Sequence, residues 1–131
     1  MRIYLAAPWK HRLHAHTVAK QIRAAGHQIV SRWHDEWALR DDHETTDDEM
    51  RVEAQKDIDD VRESQVMLVL NIELSEGKAV EQGIALALYK SIVVIGHKRT
   101  NVFQYLGRVV LVETVEAALA LLEKRHAVHQ S

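Results

Sequence analysis

The sequence has no cysteine, which excludes disulfides, thiolate metal sites and cysteine nucleophiles together. One proline and five glycines in 131 residues leave nothing from which to build a flexible linker or a low-complexity segment. Long hydrophobic runs are also missing. No window approaches the ~18 apolar residues of a membrane span, and Pro8-Trp9-Lys10-His11-Arg12 breaks the opening apolar run, so a secretory signal is not expected. Neither sign of charge dominates: 17 basic and 19 acidic residues give a net charge of −2, with no electrostatic case for a nucleic acid polymer as partner. P-loop, G-x-G-x-x-G and G-x-S-x-G motifs are absent, so triphosphate hydrolysis, dinucleotide binding and serine hydrolase chemistry lack support. The expectation is one domain over 1–131, most simply cytoplasmic. One surplus stands against these shortages: nine histidines beside a single phenylalanine.

Short apolar runs alternate with helical stripes. Arg2 to Ala7 predicts a buried strand, and Ala15, Val18, Ala19 and Ile22 fall at i, i+3, i+4, i+7 of a helix that Gly26 ends. His27 to Trp33 predicts a second strand and Asp35 to Asp48 a long surface loop. A helix over about Asp47 to Glu63 precedes a strand at Val66 to Leu70, and a helix over Ser75 to Tyr89 is opened by Ser75 as N-cap. Strands at Ile92 to Ile95 and Val109 to Val112 follow. Thr114 then caps a last helix with the stripe Val115, Ala118, Leu119, Leu122, and the tail beyond Lys124 is expected to fray. Strands that are continuously apolar and alternate with helices imply an α/β fold: a five-stranded parallel sheet, flavodoxin-like order 2-1-3-4-5, with helices on both faces. Ligands of such sheets bind beyond the carboxyl ends of the strands, near the switch point between strands one and three.

Two carboxylates occupy stripes that should be apolar. Asp57 shares a stripe with Ala54, Ile58 and Val61, whereas Asp59 and Asp60 fall off it and read as solvated charges. Glu81 shares another with Ile84, Ala85 and Leu88. A carboxylate at a core margin costs free energy unless it is paired, hydrogen-bonded or neutral. Either acid alone fits a cap or an ion pair with Arg32 or Lys78. Two of them converging on one cleft suit a nucleophile and an acid/base at an acetal-like carbon.

Ile3-Tyr4-Leu5-Ala6-Ala7-Pro8, Ser31-Arg32-Trp33, Asp57-Ile58-x-x-Val61, Ser75-x-Gly77-x-x-x-Glu81-x-Gly83-x-Ala85 and Asn101-Val102-Phe103 form an ordered set. As a set they resemble the nucleoside 2-deoxyribosyltransferase superfamily, which includes the 2'-deoxynucleoside 5'-phosphate N-hydrolases. The resemblance runs from Arg2 to about Leu122. It implies that Glu81 is the nucleophile attacking C1' of deoxyribose, that Asp57 contacts the base and delivers a proton to it, and that the Tyr4 hydroxyl orients Glu81. Tyr4 has the alternative of a strand tyrosine packed in the core.

Within the superfamily, transferases acting on free nucleosides tend to carry a carboxylate where this chain has Ser75. A serine at a helix N-terminus resembles the nucleotide hydrolases, in which hydroxyl and backbone N–H groups hold a 5'-phosphate. Gly77 allows close backbone approach there, while Glu76 argues mildly against a dianion, and Lys78 either adds charge at this place or is solvated. Ala6 and Ser31 belong to the expected substrate pocket. Trp33 and Trp37 either stack on a base or, for Trp33, close the core edge. Gln65, where many members have aspartate, is expected to be structural. Lys10 to Arg12 either helps to hold a phosphate or is a solvated helix start. Asn101 and Phe103 match a segment that reaches a neighbouring subunit's site, which implies a homodimer or larger assembly with shared active sites.

Among the histidines, His11 and His14 lie one turn apart, but zinc normally needs three or four ligands. Asp41, Asp42 and His43 follow no ligand spacing, and no metal or organic cofactor is expected. The function implied is an N-glycosidase of a 2'-deoxynucleoside 5'-monophosphate. The alternatives are a transferase that passes the sugar to a second base, and a non-catalytic module that sequesters a nucleotide. The full set of Tyr4, Asp57 and Glu81 counts against the last, since a pure binder needs no nucleophile.

Overall fold

The structure is a computed structural model that describes residues 1–36 and 45–130, with side chains to Arg125. Five parallel strands, β1 (Arg2–Ala6), β2 (Gln28–Ile29), β3 (Val66–Leu70), β4 (Ser91–Ile95) and β5 (Val109–Val112), lie in the order β2-β1-β3-β4-β5. The helices are α1 (Arg12–Ala24), α2 (Trp33–Glu36), α3 (Asp47–Glu63), α4 (Glu76–Ala87) and α5 (Val115–Gln130), with 3-10 turns at Trp9–His11 and Val102–Tyr105. Gln21 of α1 donates to Glu116 of α5 at 3.1 Å, joining these two helices on one face of the sheet. Helices α3 and α4 pack together on the other. The expected fold class and strand order are those observed. None of the helices among the described residues is long and apolar enough to cross a membrane.

Local chemistry explains the boundaries. The amides of Gly26 and His27 reach back to the carbonyls of Arg23 (2.9 Å) and Ile22 (3.4 Å), the Schellman pattern, and Gly26 takes the positive φ of 95° that it needs. Thr46 caps α3 through Glu49 N–H at 3.1 Å, and Thr114 caps α5 through Ala117 N–H at 3.0 Å. Strand β2 is much shorter than the expected run to Trp33. The Ser31 hydroxyl, not a backbone carbonyl, accepts the Leu5 N–H at 3.0 Å, so the ladder stops and the chain turns into α2. Helix α5 continues past Lys124 to Gln130, where fraying was expected. Gln65 is structural as expected: its side-chain oxygen accepts the Arg2 N–H at 2.8 Å. The predicted loop over Asp35 to Asp48 falls partly in α2 and α3, and its residues 37–44, including Trp37, Asp41, Asp42 and His43, lie outside the described residues.

Helix α4 ends with the same Schellman pattern, Tyr89 N–H to Leu86 O at 3.1 Å and Lys90 N–H to Ala85 O at 2.9 Å. The left-handed position is occupied by Tyr89 at φ 59°, where glycine carries no Cβ penalty. Tyr89→Gly should therefore raise unfolding stability by about 0.5–1 kcal/mol, the gain being limited by loss of the Arg108 guanidinium contact to the ring at 4.7 Å. Denaturant unfolding of the two proteins checks this.

Candidate active site

Tyr4 stands on β1 at the switch point, wholly buried, on the face covered by α3 and α4. Helix α3 brings Asp57 to it and the second turn of α4 brings Glu81. Tyr4 Oη, Asp57 Oδ1 and Glu81 Oε2 are buried without a partner of hydrogen-bond geometry. Three such atoms in one place make this the candidate site of the molecule.

The electrostatics agree. Burial, reinforced by the charges of Glu53 and Asp60, pushes the Asp57 carboxyl up to about 7. Burial pushes Glu81 up to about 8, against the pull of the Tyr4 hydroxyl and with a further push from Asp57. The Tyr4 phenol is held well above its ordinary value by burial and then by Glu81 and Asp57. Tyr4 Oη thus faces the Glu81 carboxyl closely enough to act on it, although no hydrogen bond of full geometry is closed. Around neutral pH the two acids hold at least one proton between them, in a low-dielectric pocket where charge is expensive until a ligand supplies its complement. Carboxyls that titrate this close to neutrality can give a proton to a bound ligand or take one from it.

Several neighbours differ from their sequence reading. Asp60 is buried, not solvated: it accepts Arg32 N–H at 3.1 Å, and the Arg32 guanidinium reaches Oδ1 at 2.8 Å. The helix is rotated so that Asp57, Asp60 and Val61 face inward while Ala54 is exposed. Arg32 therefore pairs with Asp60, leaving Asp57 to the site. Lys78 is buried too, its ammonium donating to Asn71 Oδ1 (2.9 Å) and Glu73 O (2.8 Å), and burial lowers its pKa. Gln104 Nε2 donates to Gln82 Oε1 at 2.8 Å, and Gln104 Oε1 accepts from Thr100 N–H at 2.8 Å. This network ties α4, which carries Glu81, to the segment after β4. Apolar periodicity could not reveal these polar residues, because their burial is made tolerable by hydrogen-bond partners outside their own helical stripes.

The remaining expected pocket residues are distributed as follows. Gly77 lies one turn before Glu81, and a Cβ there would stand 3.9 Å from Glu81 Oε1, in ordinary contact. Ser75 Oγ caps α4 by accepting the Lys78 N–H at 3.3 Å. Ala6 is buried at the end of β1. Ser31 Oγ is engaged by Leu5 N–H and by His34 Nε2 at 2.7 Å. Trp33 closes the core edge, its indole N–H donating to Leu5 O at 2.9 Å. The more exposed ring beside it is Trp9, 6.4 Å from Trp33 between centroids, with the Arg12 guanidinium 4.7 Å above it. Asn101 Oδ1 caps the turn at Val102–Tyr105 by accepting from Phe103 N–H (3.0 Å) and Gln104 N–H (3.2 Å), while the Phe103 ring is exposed.

The site is thus a pair of half-buried carboxyls, each with one buried unpartnered oxygen, beside a buried phenol at the switch point of a doubly wound α/β domain. The family model of nucleoside 2-deoxyribosyltransferases matches residues 3–124, and the chain belongs to that family. Among solved structures it is similar to the Clostridium botulinum CMP N-glycosidase BcmB, with a TM-score of 0.60 and 16% sequence identity, over 94% of this chain and 98% of that one. At that identity the likeness concerns the fold. No curated protein matches the sequence significantly.

Proposed function

We propose that the protein hydrolyses the bond between base and sugar in a 2'-deoxynucleoside 5'-monophosphate. The observation that carries this reading is the convergence of Glu81 and Asp57, both raised in pKa and each with an unpartnered buried oxygen, beside the Tyr4 hydroxyl. The ionised Glu81 carboxylate attacks C1' as the C1'–N bond breaks. The bonding electrons leave with the base, which takes a proton from Asp57. Water then attacks C1' of the glycosyl-glutamate, Asp57 accepts the water's proton, and Glu81 is released. Tyr4 holds the carboxylate oriented throughout. The 5'-phosphate lies at the N-terminus of α4, where Ser75 and the backbone at Gly77 favour an anion.

Tyr4→Phe should lower kcat by roughly 10- to 100-fold with a smaller change in KM, because the hydroxyl acts on the nucleophile and not on substrate affinity. Steady-state kinetics separate the two effects.

The same reading includes a second copy completing the pocket. Its support is the turn at Val102–Tyr105, where Val102, Phe103 and Tyr105 are all exposed although apolar or aromatic. Sedimentation equilibrium tests the assembly.

Base release from matched nucleosides and 5'-monophosphates, with and without an acceptor base, tests the activity. The reading expects release that requires the phosphate and no acceptor. Exchange only with an acceptor would instead identify a transferase, and tight binding without turnover a sequestering module.

A further inference from the structure

Away from Glu81 and Asp57, on the side of the sheet where α1 packs, a second cluster has no part in the proposed chemistry. His16 Nδ1 lies 2.9 Å from Asp35 Oδ1, and His34 Nδ1 lies 3.2 Å from the same oxygen. One ligand atom from each of the three residues lies within 4.8 Å of the others. We propose that His16, His34 and Asp35 form a binding site for a divalent transition-metal ion of the zinc class, pinning α2 to α1.

Three observations point this way. The first is spacing. With metal–ligand bonds of ~2.0–2.1 Å, two donors of a tetrahedral site stand roughly 3.3 Å apart. The observed 2.9 and 3.2 Å differ from that by only a few tenths of an ångström. The second is the set of outer partners that ligands require. Ser31 Oγ, 2.7 Å from His34 Nε2, can accept the proton that this nitrogen carries when Nδ1 faces a metal. Arg23 engages Asp35 Oδ2 and so leaves Oδ1 as a single ligand atom. The third is access and protonation. His34 is wholly buried, which favours the neutral imidazole a metal needs, whereas His16 and Asp35 are each about one-third exposed and leave an open side for water as fourth ligand. Two imidazoles and a carboxylate suit zinc, cobalt or nickel better than calcium or magnesium.

Without an ion the same atoms make a hydrogen-bonded hub, with Asp35 accepting from both imidazoles and from Arg23. The experiment separates the two states. The full chain, untagged and stripped with chelator, is titrated with Zn²⁺ by calorimetry and with Co²⁺ by visible absorption, beside His16→Ala and His14→Ala. His14 is exposed on the same helix and outside the cluster. The proposal expects one equivalent bound at micromolar Kd or tighter, tetrahedral Co²⁺ bands, and a Tm raised by roughly 5–10 °C at about a hundredfold excess over Kd. His16→Ala should weaken binding at least tenfold while His14→Ala leaves it unchanged. No stoichiometric binding would overturn the proposal in favour of the hydrogen-bonded hub. Binding that survives His16→Ala, or that falls equally in both variants, would overturn it in favour of scattered surface histidines.

Discussion

Replacing Glu81 by glutamine is expected to lower base release by roughly 10⁴-fold or more, since the amide cannot form the glycosyl ester. The same change should make the fold more stable in alkaline solution. The Glu81 carboxyl moves from an ordinary 4.5 to about 8 in the folded protein, because its surroundings disfavour the ion. The native state therefore holds a proton that the unfolded chain releases, and stability falls as pH rises from 4.5 to about 8. Glutamine is neutral throughout and escapes that loss. Denaturant unfolding should show a gain on the order of 2–4 kcal/mol for Glu81→Gln at about pH 8.5, and little difference near pH 5. A variant that still turns over would remove Glu81 from the nucleophile's role. Equal stability at both pH values would show that the carboxyl is not held neutral by burial.

Asp57→Asn is expected to lower turnover by about 10²–10⁴-fold, the range of a general acid and base. The loss should be smallest for a base that departs readily without protonation. Its effect on pH dependence is equally diagnostic. On the proposed mechanism the productive form has Glu81 ionised and Asp57 protonated, one proton on the pair. Because Glu81 holds its proton to about 8 and Asp57 to about 7, this is the less populated of the two singly protonated forms. The pair titrates with apparent values of about 7 and about 8, and kcat/KM should be bell-shaped with its maximum between them. Removing the Asp57 carboxyl removes the need for a proton there, and the alkaline limb should flatten while the acid limb, set by Glu81, remains. A pH–rate profile of the variant that keeps both limbs would assign the acid to another group.

The same two residues show how far the chain could be read without coordinates. Asp57 and Glu81 were conspicuous as charges on apolar stripes, and the structure half-buries both, shielding one oxygen of each, though the stripe around Asp57 is turned. Ala54 is exposed while Asp60, three residues after Asp57, points inward. Apolar spacing locates the buried face of a helix only to within part of a turn. It has no means of foreseeing that Arg32, 28 residues away, neutralises a buried aspartate. Trp33 offered stacking or core closure from sequence, and the structure buries it at the core edge with its indole N–H donated to Leu5 O.

By itself the sequence determined the α/β class, strands β3 and β5, helix α3 and the caps Thr114 and Ser75. All of these rest on contacts within a few residues, on side-chain period and on turn chemistry. It also determined that neither thiol chemistry nor a disulfide can contribute, because cysteine is missing. Only the tertiary structure decided which polar residues are buried. Lys78, Asp60, His34 and Gln104 are each made tolerable inside by a bond to a residue outside their own helix or turn. The histidine surplus divides in the same way. Composition shows that imidazoles are many, but only folding brings His16 and His34 to one carboxylate oxygen, since ligand geometry is a property of space and not of spacing.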